Sequence, residues 1–153
     1  MRDFDQNGTL DLLIANQTSN DVSYLSGGGD GTFLDEVRYP LDPFPYSVAV
    51  EDYNGDGILD AAVVVESTEV VQVFFGNGDG SFTYADLLSV GSMPHFIATG
   101  DFNGDGKPDL VVANSGSSTI SLMLNSTQPN RWLCARVHGF PCNFSQELSS
   151  PSP

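Results

Sequence analysis

The amino-acid sequence predicts an all-β chain, a partial β-propeller of three four-stranded blade units, the first lacking its strand A and the third its strand D. Three observations predict it. A nine-residue acidic loop recurs at residues 3–11, 52–60 and 101–109, a constant spacing of 49 residues. The apolar segments between these loops are four to seven residues long, rich in Val, Ile, Phe and Tyr, and bounded by Gly, Asn, Asp or Pro, which describes strands. No stretch sustains the apolar stripe of a helix, with its period of about 3.6 residues. Four short strands within a repeat of about 50 residues is the pattern of a propeller blade, whose units stack to share one core.

In the complete second unit the elements follow in order: strand A near residues 46–50, the acidic loop, strand B near 59–65, strand C near 70–75, a Gly-rich turn, and strand D near 81–89. Sliding the chain over itself by 49 residues aligns Leu10–Ala15 with Leu59–Val64 and Pro108–Ala113, and Val22–Leu25 with Val71–Phe74 and Ile120–Met123. The same shift aligns Gly31–Phe33 with Gly80–Phe82, and Pro45–Ala49 with Pro94–Ala98. The inner strands are near-continuous apolar runs, as expected where neighbouring blades cover both faces, whereas strand D is more polar and suits an outer rim.

Residues 1–125 read as the repeat region, in units 3–51, 52–100 and 101–125, and residues 126–153 as a non-repeat tail. Met1 and Arg2 stand where unit 1 would need strand A. After Leu124 the Gly-rich turn gives way to residues 125–130, which removes the signal for strand D in unit 3. The Ser/Pro-rich end, residues 145–153, is expected to be disordered. Trp132, Leu133, Val137 and Phe140 are expected to cover an exposed blade face.

Twenty acidic against five basic residues give a net charge of −15. Such a field disfavours nucleic acid and anionic membranes, since phosphate binding needs a basic footprint. No apolar run is long enough to insert in a membrane, and no signal peptide is recognisable at the start of this chain. The two cysteines, Cys134 and Cys142, lie in the tail, so the repeats have no disulfide framework.

The loops read D-x-[DN]-x-[DN]-G-x-x-D. Alternate side chains at positions 1, 3 and 5 can turn their oxygens inward while the glycine at position 6 makes the bend. The carbonyl of position 7 and the carboxylate of position 9 then complete an oxygen cage. The predicted ligands are Asp3, Asp5, Asn7, Thr9 (carbonyl) and Asp11; Asp52, Asn54, Asp56, Ile58 (carbonyl) and Asp60; and Asp101, Asn103, Asp105, Lys107 (carbonyl) and Asp109. All-oxygen ligation with several carboxylates suits Ca²⁺ better than Mg²⁺ or soft metals, so up to three Ca²⁺ are expected.

The plainer reading, that Asx and Gly residues merely form turns, accounts for one such loop but not for four Asx side chains in one register three times. An EF-hand needs flanking helices and an acidic position 12; those positions are Ile14, Val63 and Val112, inside predicted strands. Nonapeptide calcium β-rolls are also rejected, because the Gly-rich elements recur every 49 residues.

Other motifs carry less. The turns Gly27–Gly31 and Gly76–Gly80 resemble phosphate cradles, yet neither precedes a helix or a Lys-Ser/Thr pair, which leaves hairpin turns. His95 aligns with Tyr46 and reads as a strand residue. Cys134, His138 and Cys142 offer only three soft ligands, so a disulfide or free thiols are expected rather than zinc. Asn7, Asn16, Asn125 and Asn143 lie in N-x-[ST] sequons, and the role of Asn7 in the cage argues against its glycosylation. No G-x-S-x-G or H-E-x-x-H motif is present, and no enzymatic activity is expected.

The acidic loop between strands A and B, followed by Asp109–Asn114 and its counterparts and by the run Phe75–Phe82, resembles the FG-GAP/VCBS-type repeats, similar to the blades of integrin α-subunit propellers. The resemblance spans residues 3–125. Loop 1 departs from it with Asn7 at the fifth position and Gln6 where the other loops have glycine. The family implies a propeller of roughly seven blades whose edges calcium rigidifies. It also implies an extracellular or cell-surface recognition or adhesion role, with a protein or carbohydrate ligand at the opposite face or rim. Three units fall short of the roughly four to eight blades that close a ring, so self-association to complete the propeller is a further expectation.

Overall fold

Strands form along the β-branched and aromatic runs because such side chains pack well on a pleated, covered surface, while the intervening Gly, Asn and Asp residues accept tight-turn geometry. The computed structural model describes residues 1–126 and 132–135. In chain order the strands are β1 (Leu12–Asn16), β2 (Asp21–Leu25), β3 (Val37–Pro40), β4 (Pro45–Glu51), β5 (Asp60–Val65) and β6 (Val70–Gly76). They continue with β7 (Phe82–Ser89), β8 (Pro94–Gly100), β9 (Asp109–Asn114), β10 (Thr119–Asn125) and β11 (Trp132–Ala135). No helix occurs among the described residues.

Three antiparallel sheets result, ordered β1-β2-β3, β4-β5-β6-β7 and β8-β9-β10-β11, as partial propeller blades. They pack in chain order, β1 against β4 and both β4 and β5 against β8. The turns that join strands B and C place Asn20, Glu69 and Ser118, spaced by 49 residues, at φ of 57°, 55° and 53°. A non-glycine residue in that region costs roughly 1–2 kcal/mol. Its recurrence at one position makes the tight turn a property of the repeat.

Every residue of β5 is buried. On one side Ala62 and Val64, with Val71 and Val73 of β6, pack against Ile97, Leu110, Val112 and Met123 of the third sheet. On the other side Ala61, Val63 and Phe74 lie against Leu13, Val22 and Tyr39 of the first. Each fully buried Val or Leu contributes about 1.5–3 kcal/mol, so the two seams dominate the stability of the stack. This double coverage explains why the middle sheet's strand B is apolar at every position after Asp60.

The first sheet lacks strand A, as expected; Arg2 makes only a bridge to Asp11, with Asp11 N–H donating to the Arg2 carbonyl at 2.8 Å. The third sheet corrects the sequence reading. Its strand D is present as β11, pairing Asn125 with Trp132 and Leu122 with Ala135. Trp132 stands opposite Asn125 as Phe82 stands opposite Gly76 and Phe33 opposite Gly27. Six residues (126–131) separate the paired positions here instead of five (77–81), so a 49-residue shift misses the equivalence by one position.

Trp132 is buried between the second and third sheets, which corrects the expectation that it covers an exposed face, while Leu133 remains exposed. Val137, Phe140 and the Ser/Pro-rich end lie outside the described residues.

Candidate metal centre

The three acidic loops lead into β1, β5 and β9, the last two directly after β4 and β8, and one hydrogen-bond scheme builds all of them. The position-1 carboxylate closes the loop on backbone N–H groups. Gly8 donates to Asp3 at 2.9 Å, Gly57 to Asp52 at 2.8 Å and Gly106 to Asp101 at 2.9 Å. These glycines have φ of 88°, 85° and 83°, the left-handed conformation the spacing predicted. The position-5 side chain accepts the N–H of position 7: Thr9 donates to Asn7, Ile58 to Asp56 and Lys107 to Asp105, at 2.8, 2.8 and 3.0 Å. Position 3 is tied to position 5, with Asn54 donating to Asp56 at 2.9 Å, Asn103 to Asp105 at 3.1 Å and Asn7 back to Asp5 at 2.9 Å.

Position 9 differs in kind. Asp11, Asp60 and Asp109 are 0% exposed, and each spans two backbone segments. One oxygen accepts the N–H of the loop's second residue, Phe4, Tyr53 or Phe102, at 2.8, 2.8 and 2.9 Å. The other accepts the N–H at the end of strand C or the turn after it, from Gly27, Gly76 or Asn125, at 2.8, 2.9 and 2.8 Å. The aspartate therefore stitches the loop to the sheet. Burial pushes the Asp60 carboxyl up to about 6, against the N–H bonds from Gly76, Tyr53 and Asn54.

Sequence reasoning missed the residues that make this stitch possible. A Cβ on Gly27 would lie 2.2 Å from the Leu10 carbonyl oxygen, and one on Gly76 2.2 Å from that of Leu59. At these two positions the backbones approach too closely for a side chain, a requirement that a turn motif alone does not announce. In the third unit Asn125 takes this place, and its side-chain amide donates to the carbonyls of Tyr53 at 2.7 Å and Pro108 at 3.3 Å.

Asp3, Asp5 and Asp11 offer carboxylate oxygens that all lie within 4.8 Å of one another. Each ionised carboxylate has about four lone-pair directions, so N–H bonds do not exhaust its capacity. Among the described residues the carboxylates of loops 2 and 3, Asp52, Asp56 and Asp60 and Asp101, Asp105 and Asp109, do not gather in this way; these loops carry Asn54 and Asn103 at position 3 where loop 1 has Asp5. At Asp5 burial acts upward and is outweighed by hydrogen bonds from Ser26, the Asn7 backbone and Tyr24, which hold its carboxyl below the ordinary range. Asp101 is held low chiefly by the Gly106 N–H. Gln6 adopts φ 57° where Gly55 and Gly104 have 79° and 77°, so loop 1 keeps the fold of its siblings at a backbone cost.

At the opposite end of the strands, His95 lies in β8 as expected, its ring 4.4 Å from that of Tyr46. Its Nδ1 is 3.1 Å from Ser115 Oγ and its Nε2 3.5 Å from Glu66, so it joins the second and third sheets. Two of the sequon amides, besides that of Asn7, are engaged within the fold: Asn16 donates to Asp21 at 2.8 Å, and Asn125 bonds as above. The Cys134–His138–Cys142 group lies outside the described residues in its side chains. No helix among the described residues is long and apolar enough to cross a membrane.

The model of the FG-GAP-like repeat family matches this chain twice, over residues 3–63 and 52–112. The two matches are offset by the 49 residues of the loop spacing, and each runs from one acidic loop into the strand after the next. Neither a curated protein nor a solved structure matches the chain.

Proposed function

The chain belongs to the FG-GAP-like repeat family, and from that premise we propose that it is a calcium-binding β-propeller segment acting as an extracellular recognition or adhesion module. The observation that carries the calcium reading is the convergence of the Asp3, Asp5 and Asp11 carboxylates within 4.8 Å, in a loop whose scheme is repeated twice more. At that separation each pair of charges repels by roughly 1–3 kcal/mol as the effective dielectric falls from about 80 to about 20. A bound divalent cation relieves that repulsion, and its binding free energy is then also folding free energy.

In this reading Asp3, Asp5, Asn7 and Asp11 and their counterparts supply side-chain oxygens, while Thr9, Ile58 and Lys107 supply carbonyls. Calcium holds the strand A to strand B corner of each blade and leaves the other end of the stack, where Tyr46 and His95 sit, for a protein or carbohydrate ligand. The module is not an enzyme. An extracellular setting agrees with the weak affinity of such loops, on the order of 10⁻⁴ to 10⁻³ M, because calcium at that concentration is found outside cells.

Calorimetric titration of the full chain with Ca²⁺ after chelation tests this. The expected result is saturable binding of up to three ions, with Mg²⁺ a poor competitor. Absence of binding at about 10 mM Ca²⁺, ten or more times the expected dissociation constant, removes the calcium reading.

A further inference from the structure

Phe4 and Tyr53, the second residues of loops 1 and 2, are 3% and 5% exposed because a ring from the following sheet lies over each. Phe82 meets Phe4 with ring centroids 5.6 Å apart, and Trp132 meets Tyr53 at 5.7 Å. Phe102 occupies the same position of loop 3 and is 50% exposed. Phe33 holds in the first sheet the place that Phe82 and Trp132 hold in the others, and it is 37% exposed. Among the described residues, one end of the stack thus presents a seat without a covering ring, and the other end a covering ring without its seat.

The sheet faces repeat the relation. Ala62, Val71 and Val73, which pack on the third sheet, recur at the 49-residue shift as Val111, Ile120 and Leu122. Leu110, Val112 and Met123 point into the core, so side-chain alternation turns those three residues to the outer face. Likewise Ala61, Val63 and Phe74, which pack on the first sheet, recur as Leu12, Ile14 and Leu25 on its outer side. Ile120 and Ile14 are both exposed. Each outer face is therefore of the kind that mates with the other.

We propose that two copies of this chain pair head to tail, the outer face of the third sheet of one seated on the outer face of the first sheet of the other, with Phe33 covering Phe102. Two such contacts join six sheets in a closed ring, within the roughly four to eight blades at which propellers close. The contact is heterologous, so it uses two different faces of each copy and closes only if the rotation per sheet completes a turn. The proposal stands on packing and not on the calcium reading, so pairing in a chain that binds no Ca²⁺ separates the two.

Sedimentation equilibrium of the full chain in about 0.15 M salt, where repulsion between the acidic copies is screened beyond about 8 Å, is the test. The wild type is expected at twice the 16.3 kDa chain mass. Ile120→Asp and Ile14→Asp should each give a monomer. Because both side chains are exposed, each variant should keep the wild-type far-ultraviolet spectrum and, measured as a monomer, a melt like that of the other. Mixing the two variants should restore a dimer, since one intact face remains on each. A monomeric wild type, a dimer that survives either substitution, a mixture that stays monomeric, or open polymers in place of the dimer would each overturn the proposal.

Discussion

The indole of Trp132 meets the ring of Tyr53 with centroids 5.7 Å apart and planes at 63°, the same relationship that Phe82 has with Phe4 at 5.6 Å and 69°. The second and third blades thus each send an aromatic ring from the start of strand D onto the acidic loop of the blade before. The backbone N–H of the covered residue, Phe4 or Tyr53, is the one that donates to the buried position-9 aspartate. Blade stacking and loop geometry are consequently coupled through one residue.

Trp132→Ala should destabilise the chain by about 3–5 kcal/mol, the usual cost of removing a buried large aromatic side chain. Leu133→Ala, one residue on and exposed, should change stability by no more than about 0.5 kcal/mol. Urea melts of both variants decide whether β11 is an integral strand; equal and small effects would contradict it.

The stitching role of position 9 separates from cation binding by a pair of variants. Asp60→Asn replaces an acceptor of N–H bonds from both Tyr53 and Gly76 with an amide that cannot accept on both sides, so about 1–3 kcal/mol should be lost even in EDTA. Asp56→Asn lies in the exposed part of the loop and should leave the EDTA melt within about 0.5 kcal/mol while reducing the calcium-dependent gain. Indistinguishable EDTA melts would show that position 9 is not the stitch.

Gly76→Ala should cost about 1–3 kcal/mol, the range for forcing extra volume into a packed site, because its Cβ would fall 2.2 Å from the Leu59 carbonyl oxygen. Gly57→Ala tests a different cause. Its Cβ would meet nothing within 4 Å, so any loss, expected at roughly 1–2 kcal/mol, comes from its φ of 85° alone.

Acid stability should depend on Asp21, at the start of the central strand of the first sheet. Asp21 is held below the ordinary carboxylate range first by the Asn16 side-chain amide, against burial and with help from Arg38. Its folded value is lower than its unfolded one, so its contribution is complete above the ordinary aspartate value of 3.8 and is lost as pH falls through the folded value. Asp21→Asn should flatten the acid limb of the stability–pH curve and lower stability at neutral pH. A variant whose acid limb parallels the wild type would show that this carboxylate carries no part of it.

The strands, the loop register and the glycines of positive φ were legible because all of them repeat at 49 residues. β11 was hidden by a single extra residue between Asn125 and Trp132, which broke that register while leaving the two opposite each other. The shared role of Gly27 and Gly76 was obscured because turn-forming glycines and glycines required for close backbone approach look alike in a sequence. The left-handed residues Glu69 and Ser118 gave no local signal, since neither residue type favours that conformation. Within the loops the alternating Asx pattern could be read, whereas the burial of Asp11, Asp60 and Asp109 depends on strand C, a segment distant in sequence.

Thermal unfolding of the full chain in EDTA and in about 10 mM Ca²⁺ tests most directly the proposal that the three loops bind calcium in the folded chain. At ten to a hundred times the dissociation constant each occupied site should add about 1.4–2.7 kcal/mol, so the melting temperature should rise by at least about 5 °C. Superimposable melts in the two solutions would contradict the account.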